Sequence, residues 1–377
     1  MDRRLLASLL AAAAVSAPSV QAQDPTAAGL AAIRPEALRA HVSFLADDLL
    51  EGRGTATRGH EIAARYVAAQ FEALGLEPAG TGGTWFQKVP MRRTELVPDR
   101  CSLALTSGGV VRELAPGSDF ILLPDALREQ TDVTAGVVYV GFGISAPELK
   151  YDDYAGTDVH GKVVALLLGA PASFPNDQRA YYSSRQLKAD TAVARGAVGI
   201  LFIMSPEEET RFPFARVAEM LQAGTMHWLD AQGNPDGSPA SLRGRALLSR
   251  EGAKALFAGS PGALEEAFKK AAAGKSGPLA LRVEARLHTV TRHSTVESPN
   301  VLAVLRGSDS ALAREHVVLS AHLDHLGIGQ AKDGDTIYNG AFDNASGTAG
   351  IIEIARAFKA LPQRPRRSIL FAALTAE

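Results

Sequence analysis

A chain of 377 residues is too long for one small domain and fits two or three. With 46% hydrophobic and 21% charged residues it can build a sizeable core, which excludes global disorder. Lys plus Arg (39) nearly balances Asp plus Glu (41), and a net charge of -2 gives no electrostatic reason to expect nucleic acid or an anionic membrane surface as partner.

The N-terminus, MDRRLLASLLAAAAVSAPSVQAQDP, carries Arg3 and Arg4, an apolar run from Leu5 to Ala17, and small residues at Val20-Gln21-Ala22. This is the three-part pattern of a secretory signal. The run is shorter than the about 20 residues a membrane span needs. Residues 1–22 are therefore expected to be a signal peptide cleaved after Ala22, giving an exported, periplasmic or secreted product with no membrane span.

RPEALRAHVSFLADDLLEGRGT then reads as a helix, with Pro35 in its first turn, Leu38, Val42, Leu45 and Leu49 at helical spacing, and Gly52 and Gly54 ending it. RGHEIAARYVAAQFEALGLEPAG is a second helix, with Ile62, Tyr66, Ala69 and Leu74 near one face and Gly75 as the stop. TWFQKVPMRRTEL and CSLALTS alternate like strands, and the single cysteine, Cys101, reads as a small half-buried strand residue. One cysteine excludes both an internal disulfide and a multi-cysteine metal site.

From about Asp125 the texture changes. Gly136 to Ile144 and Gly161 to Pro171 are glycine-bounded apolar runs of strand length, and QLKADTAVARGAVGILFIMSP is a helix followed by a strand. YDDY, Tyr151 to Tyr154, reads as a solvated turn rather than a cation site. Residues 205–277 are less regular. The rhythm then becomes α/β: NVLAVLRGS and EHVVLSAHLDH are strands, SGTAGIIEIARAFKAL is a helix with Ile351, Ile354, Ala355 and Phe358 at helical spacing, and RRSILFAALTAE is a strand. Strand, helix, strand implies parallel neighbours, whose carboxyl ends are where sites form.

Three features fall at or beside those ends. His322 and Asp324, two apart in SAHLDH, project to the same side of an extended segment. They can act as two ligands, as a ligand with a supporting carboxylate, or as a structural histidine with its partner. Asp343 lies in the small-residue loop NGAFDNASGTAG just before a helix, where it can cap the helix or reach a metal; Ser346 can cap equally well. Glu377 closes an apolar strand, as an ordinary solvated acid or as a carboxylate whose pKa is raised by dry surroundings and which suits a general base. Taken together, an imidazole, a loop carboxylate and a terminal carboxylate are the parts of hydrolytic zinc chemistry, with Co²⁺ or Mn²⁺ as other candidates.

AHLDHLG, NGAFDNASGTAGIIEIARAF and RPRRSILFAALTAE resemble the core of the co-catalytic di-zinc aminopeptidases, a group that includes glutamate carboxypeptidases. FLADDLLEGRGTATRGHEIAARYVAAQFEALGLEPAG is similar to their first helices, and YVGFGISAPELKYDDYAGTDVHGKVVALLLGAP to their protease-associated insert. The resemblance implies an α/β fold of the phosphorylase/hydrolase-like kind: a mixed, mostly parallel sheet flanked by helices, with an inserted mainly-β domain. Its implied division is 23–125 and 286–377 for the peptidase domain and 126–285 for the insert. It also implies His322 as ligand of one zinc, Asp343 as bridge between two, Asp324 as the residue that orients His322, and Glu377 as the general base. In the family a second Glu, a further acid and a His follow that position, so the chain is expected to be the N-terminal portion of a longer product, weak in zinc binding and inactive by itself. The implied activity is zinc-dependent release of N-terminal residues from peptide substrates. A carboxypeptidase, or a non-catalytic binding protein on the same scaffold, is the competing reading.

Overall fold

The computed structural model describes residues 24–222, 224–237 and 239–376. The expected signal segment and Glu377 lie outside the described residues. The chain forms two compact units, one from residues 24–87 and 300–375 and one from 88–299. Among the described residues no helix is long and apolar enough to cross a membrane.

In the first unit the strand Ser368–Leu374 lies between two neighbours. It runs parallel to His316–His322, in register from His316 opposite Ser368 to His322 opposite Leu374. On its other side, residues 301–305 run antiparallel, Val301 opposite Ala373 and Leu305 opposite Ile369. Those residues are the last turn-free stretch of one long strand, Pro278–Leu305, not a separate strand beginning at Asn300. The helix Ser346–Ala360 joins His316–His322 to Ser368–Leu374, which is the strand, helix, strand unit the sequence implies.

The helices pack as their small residues allow. Pro35–Leu45 is shorter than the sequence suggests, because the chain breaks after Ala46 and re-forms as a tight turn over Asp48–Arg53, where the Asp47 carboxylate accepts from Leu49 N at 2.9 Å. That break turns Leu49 outward, 85% exposed, and puts Leu50 in the core instead. Arg58–Ala73 buries Ala63, Ala64, Val67, Ala68 and Phe71, while Ile62 and Tyr66 flank that face and Ala69 is exposed. A face of alanines lets the helix backbone approach its neighbours closely. At Gly59 a Cβ would stand 1.8 Å from the Leu50 carbonyl oxygen, so only glycine fits. Phe71 meets Phe371 of the central strand, ring centroids 6.1 Å apart, in a core shared with Leu45, Val301, Leu305 and Ile352.

In the second unit Gln130–Val140, Val163–Leu167, Gly199–Ile203 and Arg245–Leu248 lie side by side and parallel. Phe120–Leu122 closes one edge antiparallel. On the other side come residues 278–290 and then Ser102–Ser107, both antiparallel. Helices accompany these strands, among them Arg185–Ala194 and Ala263–Ala272. Cys101, just before Ser102–Ser107, is half-buried. Asp153 is not part of a solvated turn. It is 1% exposed, and its carboxylate accepts from Phe142 N at 3.0 Å, Ile144 N at 3.1 Å and Tyr151 Oη at 2.9 Å. Those backbone donors sit where the strand ends at Val140 and the chain turns, so the acid serves as the anchor of the turn.

Candidate metal centre

His322 is the last residue of its strand, and Asp343 lies in the irregular turn Ala341–Ala345 that leads into the Ser346–Ala360 helix. The fold brings these two together: Nε2 of His322 is 3.0 Å from Oδ1 of Asp343. The other ring nitrogen, Nδ1, is 3.0 Å from the main-chain carbonyl of Asp324 and 3.9 Å from the Asp324 carboxylate. A carbonyl only accepts, so Nδ1 carries the hydrogen and the Nε2 lone pair faces Asp343. Two acceptors at that separation require a positive charge between them, either a second ring proton or a cation. About 3 Å is also the spacing of two zinc ligands that each bind at roughly 2.0–2.2 Å. The pair therefore fits a metal as its first two ligands. Zinc takes at least three protein ligands in such sites, and among the described residues no group of three His, Cys, Asp or Glu is placed to hold a metal ion.

Asp343 does not cap the helix, and neither does Ser346. Asn344 Oδ1 accepts from Gly347 N at 2.9 Å, and Ser346 Oγ turns back to the Phe342 carbonyl at 2.7 Å. Asp343 is thereby released from local duty, and its side chain is 64% exposed. The peptide between Asp343 and Asn344 is cis.

Around this pair is a frame of which the sequence marks little beyond Asp324. Asp324 is 3% exposed and accepts from Thr55 Oγ1. Thr348, buried in the first turn of the helix, donates to the His322 carbonyl at 3.1 Å. Arg53 is fully buried, with its guanidinium donating to the carbonyls of Leu323, Leu45, Asn339 and Gly340. Burial pushes the Arg53 guanidinium down to about 10, with the Asp324 carboxylate opposing the shift. Asn339 Nδ2 donates to Ala46 O at 2.9 Å and to Asp48 Oδ1 at 2.7 Å. His325, left without a role by the sequence, donates its backbone N–H to the Arg53 carbonyl at 3.1 Å. Burial lowers its imidazole pKa, against the pull of the Asp343 carboxylate. Beyond Asp324, the sequence signal for this frame is Arg53 between Gly52 and Gly54, glycines that mark a chain reversal.

The fold is α/β, with an imidazole and a loop carboxylate brought together at the carboxyl end of parallel strands. Residues 300–377 match the model of Peptidase family M28, and His322 and Asp343 lie within that segment. The aminopeptidase from Aneurinibacillus sp. strain AM-1 matches in structure with a TM-score of 0.50 and 19% identity, over 93% of this chain and 65% of that one, which shows a shared fold. The chain thus spans just under two thirds of the length of that relative. BSAP, a zinc aminopeptidase from Bacillus subtilis, matches at 17% identity over 91% of this chain and 62% of that one, TM-score 0.41. The Peptidase M28 precursor from Shewanella amazonensis SB2B matches at 17% identity over 93% and 67%, TM-score 0.43. A search of curated proteins gives no match.

Proposed function

We propose that this protein is an exported, zinc-dependent exopeptidase, an aminopeptidase that removes N-terminal residues from peptides. The observation that carries the reading is the 3.0 Å approach of His322 Nε2 to Asp343 Oδ1 inside a segment that matches the M28 model. His322 would ligate one zinc, and Asp343 would bridge two. Zinc bound there supplies Lewis-acid polarisation of the scissile carbonyl and lowers the pKa of bound water toward neutrality. The chain's own contribution is orientation and proton transfer. The Asp324 carbonyl holds the His322 ring so that Nε2 faces the metal. Glu377, outside the described residues, takes the role of general base, accepting the proton of the attacking water and returning it to the leaving amine. The 126–285 stretch is read as a protease-associated insert and residues 1–22 as the export signal.

The test is hydrolysis of aminoacyl p-nitroanilides by the purified full-length gene product, with N-blocked substrates bearing a free carboxylate as the comparison. We expect release from the aminoacyl substrates, loss on chelation and recovery with Zn²⁺. Full activity after complete zinc removal would refute the metallopeptidase reading, preference for the blocked substrates would make it a carboxypeptidase, and hydrolysis of neither would leave a binding protein.

A further inference from the structure

The one fully buried guanidinium described in the first unit does not pair with a carboxylate at hydrogen-bond distance; it gathers main-chain carbonyls from three separate parts of the chain. Arg53 Nε donates to Leu323 O at 2.9 Å, and Leu323 immediately follows His322. Its terminal nitrogens donate to Asn339 O at 2.7 Å and Gly340 O at 3.0 Å, in the loop that carries Asp343. The same group donates to Leu45 O, at the end of the Pro35–Leu45 helix.

We infer that Arg53 is the positioning residue that sets the separation of His322 and Asp343. One planar fork ties the strand end bearing the imidazole to the loop bearing the carboxylate, and both to the helix beneath. A lysine has three donors on a point charge and cannot span the same set. The backbone is shaped for this placement: Glu51, Gly52 and Arg53 are consecutive left-handed residues, φ 49°, 65° and 51°. Two of the three are not glycine, a strained arrangement that persists only where the surroundings over-determine it. The reversal aims the Arg53 side chain inward, and the Arg53 carbonyl then accepts from His325 N at 3.1 Å, so side chain and backbone grip the same strand end. Thr55, two residues on, adds its hydroxyl to Asp324.

This rests on the metal reading only for its consequence, not for its geometry. The experiment therefore has a metal-free and a metal-bound arm on the same variants of the full-length gene product. Arg53→Gly removes the side chain while suiting the positive φ, and Arg53→Lys keeps the charge; if the first does not fold, the second carries both arms. In the metal-free protein, amide exchange over 323–325 and 339–344 should quicken by at least roughly tenfold, the factor that one lost charge-assisted hydrogen bond represents. The 58–73 helix should be unchanged. In a Co²⁺ titration the variants should bind roughly 10–100-fold more weakly, the usual effect of losing an outer support, with an altered visible spectrum. Unchanged exchange in the two segments overturns the inference, and so does wild-type Co²⁺ affinity and spectrum in a folded variant. Failure of the unaltered protein to bind Co²⁺ would instead sink the zinc reading, while the exchange arm still decides the role of Arg53.

Discussion

Thr55 Oγ1 donates to the carboxylate of Asp324 across 269 positions of sequence. Asp324 is buried, and its own main-chain carbonyl orients His322. A hydroxyl in the segment after the first helix thus steadies the residue that steadies a ligand. Thr55→Val keeps the shape and removes the donor. It should cost about 1–3 kcal/mol of stability, because a buried acceptor loses a partner, and weaken Zn²⁺ or Co²⁺ binding by roughly tenfold or more. Chemical denaturation and a metal titration check the two effects separately. No change in either would remove Thr55 from the frame.

The ligand pair gives a steeper prediction. His322→Gln and Asp343→Asn should each lower metal affinity beyond the roughly 10–100-fold that an outer support is worth. The two together should add less than the sum of their separate losses, because they share an ion. Calorimetric titration of the single and double variants reads this directly, and fully additive losses would contradict it.

Gly340 has φ 60°, and a Cβ there would lie 2.6 Å from the Asp343 carbonyl oxygen and 2.7 Å from the His325 ring. Gly340→Ala should therefore displace the loop even if the fold survives. We expect lost metal binding with circular dichroism like that of the unaltered protein; metal binding intact would show that the loop has room to spare.

His41 and Glu353 form a buried pair in the first unit. His41 Nδ1 is 2.8 Å from Tyr66 Oη, its Nε2 is 3.4 Å from Glu353 Oε1, and Arg356 Nε donates to the same carboxylate at 2.8 Å. Burial lowers the His41 pKa below 6.5, with Glu353 opposing. Burial pushes Glu353 up, but hydrogen bonds from Arg356, the Arg34 N–H and His41 outweigh it and the net shift is downward. Both groups then bind protons more readily when unfolded. Their stabilisation is complete above the unfolded values and falls as pH drops, first below 6.5 through His41 and then through the acid range of Glu353. Thermal midpoints of the unaltered protein should fall as pH is lowered from 6.5, and His41→Gln should flatten the upper part of that decline. A midpoint independent of pH in this window would contradict the assignment.

Lys188 gives the second unit its own signature. The side chain is 1% exposed, donates to Phe142 O, and lies 5.6 Å from the Phe142 ring centroid. Burial pulls its pKa down from 10.5 to about 7, against the pull of Asp153 and Glu208. A depressed base binds its proton more tightly when unfolded, so its contribution is greatest above pH 10.5 and declines as pH falls toward 7. Unfolding of this unit should gain stability from pH 7 upward in the unaltered protein, by at most one proton's worth of slope. Lys188→Met should remove that gain. An identical slope in the variant would place the titration elsewhere.

Several elements could be read from local pattern because local physics sets them. The Ser346–Ala360 helix and the strands before and after it follow from apolar spacing, and their parallel pairing follows from the crossover between them. Gly75, at φ 67°, ends its helix as expected. Pattern failed where a neighbour decided. Leu49 has the right spacing for burial, but the break after Ala46 that feeds the Arg53 reversal rotates it outward and puts Leu50 inward. In Arg58–Ala73 the alanine face is buried rather than the larger Ile62 and Tyr66, since closeness of backbone and not side-chain size governs that contact. Asp153 carries a charge in a turn-like sequence, and only the donors that converge on it, from Phe142 N, Ile144 N, Tyr151 Oη and Ser276 Oγ, explain its burial.

The candidate site divides the same way. The sequence offers His322, Asp324, Asp343 and Glu377, each open to a structural reading when taken alone, and their roles come with the resemblance to the di-zinc aminopeptidases. The tertiary structure decided the 3.0 Å approach of His322 to Asp343, the choice of the Asp324 carbonyl rather than its carboxylate as the hydrogen-bond acceptor for the ring, and the transfer of capping to Asn344. It also decided Arg53, whose partners lie at Leu45, Leu323, Asn339 and Gly340. Chain order fixes which groups are available. Distances between groups nearly three hundred residues apart depend on packing and on where buried donors find acceptors, and no local pattern encodes that.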